Sequence, residues 1–323
     1  MDIKTRFLIL SDTHGDSISN IQHVDADVAI HCGDLTEESK IDEFKGAIEL
    51  LKGINAPLKL VIAGNHDFTA DIPVFKKKVA QNPDLQQEDV DKFYGPYGEV
   101  HQLFEDAKSN GVAFLEEGVH RFELSNGAKL SVYASPFTPS QHGDWGFQYL
   151  PQEGHDFAIE KGIDIAITHG PPHGIMDITH SRSRAGCPQL FGAIARARPK
   201  IHCFGHIHEG WGAKLVTWRE KISDTPSHFT DIDNDESRVI EKLSNIKDMK
   251  TDTPSVAQEK ATRRANLKRE GHIKTSHCIG DSNPLQSGSQ TLFVNAAIQG
   301  DAEECPAQPA WLVEIDLPST SRS

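Results

Sequence analysis

Seven side chains of metal-ligating type, Asp12, His14, Asp34, Asn65, His169, His206 and His208, stand in short polar clusters spread over nearly two hundred positions. The clusters read Asp12-Thr13-His14, Gly33-Asp34, Gly64-Asn65-His66-Asp67, His169-Gly170 and Gly205-His206-Ile207-His208. Imidazole mixed with carboxylate and an amide oxygen suits divalent transition metals, Mn, Fe or Zn, better than Ca, which takes all-oxygen shells. Asp12 and His14 are two apart, as are His206 and His208, so in a tight loop both members of each pair can turn toward one ion. Taken singly, several clusters have bland explanations: Gly33-Asp34 is an ordinary turn, Ser11-Asp12-x-His14-Gly15 can be a turn before a helix, and Asn and Asp are common turn formers. Two histidines directly after an apolar strand have few structural uses. The ordered set of five favours a site.

The clusters gain meaning from what precedes them. Arg6 to Leu10, Val28 to Cys32 and Leu58 to Ala63 are apolar enough to be strands covered on both faces. Between the last two, Phe44, Ala47, Ile48 and Leu51 recur at helical spacing within Glu43 to Lys52, which predicts a strand-helix-strand unit with parallel pairing. Further strands are predicted at Val112 to Leu115, Lys129 to Ala134, Ile163 to Thr168, Lys200 to Phe204, Thr291 to Ala297 and Trp311 to Asp316. Five of these strands end on the metal-type clusters. In open α/β sheets, ligands gather beyond the carboxyl ends of the strands, so distant loops can converge there. Many strands with fewer helices predict a layered α/β domain.

Residues 219–290 depart from this pattern. Aromatics almost vanish, and charged and hydroxyl residues crowd together, as in Asp231-Ile232-Asp233-Asn234-Asp235-Glu236. Such composition offsets little ordering entropy, so a charged, flexible insertion is expected, with solvated helices at Val239 to Met249 and Val256 to Arg269. Residues 1–218 and 291–318 are expected to form one domain around it.

Bulk properties narrow the partners. A net charge of −14 over 323 residues opposes general nucleic-acid binding, because a polyanion is repelled from most of the surface. It leaves room for a small phosphorylated substrate. No apolar run approaches the roughly 20 residues of a membrane span. Five scattered cysteines, Cys32, Cys187, Cys203, Cys278 and Cys305, form no C-x-x-C pair and read as reduced thiols, so a cytoplasmic location is expected. Composition does not set the oligomeric state.

The ordered motifs D-x-H, G-D, G-N-H-D, H and G-H-x-H resemble the calcineurin-like metallophosphoesterase superfamily. His31-Cys32-Gly33-Asp34-Leu35-Thr36, Thr168-His169-Gly170-Pro171-Pro172 and Phe204 through Gly210 resemble its metallophosphoesterase-domain-containing branch, which is related to class III cyclic-nucleotide phosphodiesterases. The likeness spans residues 6 to about 218 and resumes near 291. It implies an αββα sandwich with two mixed β-sheets and a pair of divalent ions, Mn or Fe foremost and Zn also compatible. Asp12, His14, Asp34 and His208 would hold the first ion. Asp34, Asn65, His169 and His206 would hold the second, with Asp34 bridging. His66 would serve the leaving group without binding metal, and Asp67 would orient it, making both catalytic. No Arg follows Gly33-Asp34 as in the G-D-x-x-D-R-G segment of protein phosphatases, which argues against that activity.

The resemblance thus implies phosphoester hydrolysis by hydroxide held between two ions, most readily of a small, cyclic or linear phosphodiester. A phosphomonoesterase acting on nucleotides or metabolites is the alternative, and a metal- or nucleotide-binding regulatory protein with little catalysis is a third reading. Among other residues, His173 and His180 can face substrate or solvent, and Trp145 is expected to pack beneath a loop rather than stack on a base. Glu209 and Trp211 are candidates to support the ligands. Arg263-Arg264 with Lys268-Arg269 is expected to be a solvated helix face.

Overall fold

A computed structural model describes residues 2–16, 18–300 and 308–320. Cys305 lies outside the described residues. The first half of the chain runs β1 (Asp2–Leu10), β2 (Val28–His31), α1 (Ile41–Gly53), β3 (Leu58–Val61), α2 (Ile72–Ala80), α3 (Gln87–Tyr94), α4 (Glu99–Ala107) and β4 (Val112–Phe114). There follow β5 (Gly118–Glu123), β6 (Lys129–Ser135), the short β7 (Thr138–Pro139) and β8 (Gln148–Tyr149), β9 (Ile165–Thr168), α5 (Pro188–Ala197) and β10 (Ile201–Phe204). The remainder is β11 (Gly212–Trp218), β12 (Ile232–Lys242), α6 (Pro254–Glu270), β13 (His272–Ser276), β14 (Gln290–Asn295) and β15 (Ala310–Pro318).

Two mixed sheets form the middle layers. One has the order β13-β15-β1-β2-β3-β4, the other β12-β11-β14-β10-β9-β6-β5. Strands β1, β2 and β3 pair in parallel, with α1 crossing from β2 to β3 as its periodicity predicts. Alternation along the strands builds the layers. Phe7, Ile9, Val28, Ile30 and Leu60 face Val132, Ile165, Ile167, Ile201 and Val294 of the opposite sheet. Leu8, Leu10, Ala29 and Val61 turn the other way, onto Phe44, Ile48 and Leu51 of α1 and Phe104 of α4. On the far side, Ala166, Phe204 and Phe293 pack against Phe191 and Ile194 of α5. Both faces of these strands are therefore covered, which explains their unbroken apolar runs. The result is the αββα sandwich.

Residues 219–290 are built into both sheets. β12 edges one sheet beside β11, and β13 edges the other, parallel to β15. The expected helix at Val239 to Met249 is instead the end of β12 followed by a short 3-10 turn. The second expected helix exists as α6, of whose residues only Leu267 is buried. Its basic residues pair locally: Arg263 with Glu241 and Arg264 with Asp248.

Candidate metal centre

The carboxyl ends of β1, β2 and β3 in one sheet meet those of β9 and β10 in the other, and each delivers its polar cluster to the seam. Asp12 N donates to the Gly33 carbonyl at 3.0 Å and His14 N to the Asp34 carbonyl at 3.1 Å, locking the first two loops together. Asp12, His14, Asp34 and His206 all take left-handed backbone angles, with φ of 57°, 46°, 52° and 66°. Such angles are strained for residues with a Cβ, and their concentration at one place marks a functional constraint. Two glycines admit the close approach. A Cβ on Gly64 would lie 2.3 Å from both Asp34 N and Asp34 Oδ1, and one on Gly205 would lie 2.0 Å from Asp12 Oδ2.

The side chains gather into two triads. Asp12, His14 and His208 bring one ligand atom each within 4.8 Å of one another, and so do Asp34, His169 and His206. His208 Nε2 is 3.3 Å from Asp12 Oδ1, and His169 Nε2 is 3.2 Å from Asp34 Oδ2. The same Asp34 oxygen is 3.8 Å from His14 Nε2, so Asp34 stands between the triads. Asn65 Oδ1 lies 3.0 Å from His169 Nε2. All seven sequence-predicted ligands are thus brought together.

This donor set fits divalent cations. Both ring nitrogens of buried His14 lack a hydrogen-bond partner, an arrangement that costs free energy unless something else occupies them. Two carboxylates with no exposure to speak of sit side by side and stay charged. Burial raises Asp12, but His208 and His169 outweigh it and hold the group at about 2. Burial likewise opposes ionisation of Asp34, yet His169 and His14 hold it well below the usual carboxylate range. Burial would lower His169, but the Asp34 and Asp12 carboxylates lift it to about 9. Burial, with His169 nearby, depresses His206 to about 4. In the metal-free chain the carboxylates favour the charged forms of His169 and His208, which partly compensate the two anions, a role a bound cation would take over with release of protons.

The residues beside the triads are arranged differently from expectation. His66 Nδ1 is 2.7 Å from the Glu37 carbonyl, which keeps a proton on Nδ1 and leaves Nε2 outside that bond. The Asp67 carboxylate does not reach the His66 ring. It accepts instead from Leu35 N at 3.1 Å, Thr36 N at 3.0 Å, Thr36 Oγ1 at 2.7 Å and Gly64 N at 2.8 Å. Burial and the nearby Asp34 carboxylate push it up to about 7 against those four donors. Asp67 is therefore a knot between the β2 and β3 loops, and the expected orienting contact is made by Glu37. Sequence reading passed over Glu37, whose position three residues after Asp34 in the same loop was the available signal. Its Oε2 also lies 2.8 Å from His14 Nδ1, off the angle of a strict hydrogen bond.

Trp145 is half-buried rather than under a loop, and its ring stacks on His66. His180 pairs with Glu209 at 3.0 Å, while His173 Nδ1 is 3.3 Å from the Gly186 carbonyl. Trp211 is core, stacked on Trp311 with Nε1 donating to the Pro309 carbonyl. Support for the ligand loops comes from elsewhere. Asn295, at the end of β14, donates to the Ile207 carbonyl between His206 and His208 at 2.9 Å. Buried His31 and His202 sit under the loops with Nε2 at 3.1 Å from Thr13 Oγ1 and 2.8 Å from Thr168 Oγ1.

Residues 5–210 match the family model described as calcineurin-like phosphoesterase. Among curated proteins, the chain is 35% identical over 216 residues to human metallophosphoesterase domain-containing protein 1, covering 64% of this chain and 62% of that one. It is 31% identical over 217 residues to UPF0046 protein T07D4.2 of Caenorhabditis elegans, covering 64% of this chain and 52% of the relative. It is also 33% identical over 220 residues to a probable rhamnogalacturonate lyase C of Emericella nidulans, covering 67% of this chain but only 18% of that longer one. The chain thus spans about three-fifths or less of these relatives.

Proposed function

Because the chain belongs to the calcineurin-like phosphoesterase family, we propose that it is a metal-dependent hydrolase of phosphoester bonds, and within that class a phosphodiesterase on a small substrate such as a cyclic nucleotide. The observation that carries this reading is the pair of triads meeting at Asp34, with the His14 nitrogens buried among carboxylates without a strict hydrogen bond. Asp12, His14, Asp34 and His208 would hold one ion, and Asp34, Asn65, His169 and His206 the other, with Mn or Fe favoured by the mixed nitrogen and oxygen donors and Zn also compatible. Bound there, divalent ions supply Lewis-acid stabilisation of charge on the phosphoryl oxygens and acidify water.

The chain's own groups do the rest. Asp12 and Asp34 hold negative charge in a buried place, which draws cations in and orders the histidines. His66 in its imidazolium form, anchored at Nδ1–H by the Glu37 carbonyl, offers Nε2–H to the leaving oxygen, whose expulsion is slow without a proton. The net charge of −14 favours a small substrate over a long polyanion. None of the described helices is long and apolar enough to cross a membrane. The buried, unpaired Cys32, Cys187, Cys203 and Cys278 support a reducing, cytoplasmic setting.

The test is elemental analysis of the purified protein followed by turnover of bis-p-nitrophenyl phosphate, p-nitrophenyl phosphate and a panel of cyclic and linear phosphodiesters. About two ions per chain and a preference for diesters are expected, with Asp34→Ala losing both ions and activity. Preference for the monoester would replace the diesterase reading with the phosphomonoesterase one. A metal-replete protein inactive across the panel would sink the enzymatic reading.

A further inference from the structure

A histidine that protonates a leaving group must keep one nitrogen aimed at it, and a single hydrogen bond at Nδ1 does not achieve that. The ring can still swing about its bond to the Glu37 carbonyl. Against the ring lies an aromatic side chain from the loop between β7 and β8. The Trp145 and His66 ring centroids are 4.3 Å apart with an interplanar angle of 27°, a stacked arrangement. The His14 ring closes on His66 edge to face at 4.7 Å.

The loop is itself held on the His66 segment. Gly146 N donates to the Asn65 carbonyl at 3.0 Å, Phe147 N to Asp71 Oδ2 at 2.8 Å and Trp145 N to Gln148 Oε1 at 3.1 Å. A Cβ on Gly146 would lie 2.7 Å from Phe68 Cα, so the two backbones touch. The indole is also engaged by Phe68 at 6.2 Å and by the Lys78 ammonium 5.3 Å from the ring centroid. A ring with these partners is committed to the protein rather than kept open as a stacking platform for substrate.

We propose that Trp145 is a positioning residue for the leaving-group proton: its indole fixes the plane of the His66 imidazole so that Nε2–H is presented to the departing oxygen. The proposal rests on the reading of His66 as general acid. The proton passes from Nε2 to that oxygen as the P–O bond breaks, and is regained from solvent. Stacking is worth only a little free energy, but misplacing a reacting group by about 1 Å can cost around 100-fold in rate. The loss should appear only where protonation matters, with poor leaving groups and not with good ones.

The experiment compares diphenyl phosphate, which expels the more basic phenolate, with bis-p-nitrophenyl phosphate, using metal-loaded Trp145→Ala, Trp145→Leu, Trp145→Phe and His66→Ala proteins of verified metal content and fold. Trp145→Ala and Trp145→Leu should lose about tenfold or more in kcat on diphenyl phosphate and less than about threefold on the nitrophenyl ester, with KM nearly unchanged. Trp145→Phe, which keeps a flat ring, should retain most activity. Adding Trp145→Ala to His66→Ala should cost nothing more. In metal-free protein an NOE should connect the two rings. Equal losses on both substrates, a rise confined to KM, or no loss would overturn the assignment of Trp145 while leaving His66 in place. If His66→Ala does not separate the two substrates either, the acid role of His66 fails, and the proposal falls with it.

Discussion

At the scale of single residues, the site depends on the absence of atoms as much as on their presence. Gly64 has no room for a methyl group, because Asp34 N and Oδ1 already occupy the space. Gly64→Ala must displace Asp34, which stands between the two triads, so metal content should fall from two ions toward none, as elemental analysis would show. Retention of both ions would contradict the bridging position. Asp67 invites a different expectation. Its removal strands buried Leu35, Thr36 and Gly64 N–H donors without an acceptor, at about 1–3 kcal/mol for each unsatisfied group, with partial relief by water. Asp67→Ala should therefore lower the stability of the metal-free protein by several kcal/mol in urea titrations. A variant impaired in turnover but equally stable would restore Asp67 to a catalytic role.

At the scale of elements, legibility in the sequence followed burial for most strands, buried β11 being passed over. β1, β2, β3, β9, β10, β14 and β15 are covered on both faces, so their apolar runs mark them, and the ligands could be found at their ends. β5 and β12 could not be read in this way. Both are sheet edges, and β12 has only Ile232 and Glu241 buried among its eleven residues, a pattern indistinguishable from a polar loop. The role of Glu37 was hidden for another reason: its contact with His66 is through a backbone carbonyl, which no side-chain type betrays. The polar segment has a structural task that its composition conceals. It supplies β12 and β13, each covering a strand that would otherwise be an edge. β15 is apolar and buried almost throughout. Replacing residues 219–289 with a short linker should therefore expose β11 and β15 and produce aggregation, since long apolar edges pair with other chains. Light scattering on the shortened protein checks this. A monodisperse, fully active product would show the segment to be dispensable.

At the scale of the whole molecule, buried histidines tie stability to pH, among them His202 on the α5-facing side of β10. Burial lowers His202 to about 3 from its ordinary 6.5. Thr168 Oγ1 donates to the Gly170 carbonyl at 2.7 Å, so the ring must donate to it from Nε2 and stays neutral. Above pH 6.5 the group is neutral in both folded and unfolded chains and contributes no pH dependence. As pH falls from 6.5 toward 3, the unfolded chain takes up a proton that the folded chain refuses, so stability falls by up to about 1.4 kcal/mol per pH unit. His202→Gln, which can still donate to Thr168, should flatten this acid limb in denaturant titrations at pH 7, 6 and 5. An unchanged slope would show that His202 is not its source. The division of ligands between the sheets has one more consequence, in the order of synthesis. Asp12, His14, Asp34 and Asn65 leave the ribosome with the first sheet's central strands, long before His169, His206 and His208, and β1 still awaits β15 as its partner. A nascent chain can show metal only a few oxygen-rich, half-built sites. The donor set comes together only when the two sheets have formed and met, so an ion bound there would certify a closed sandwich.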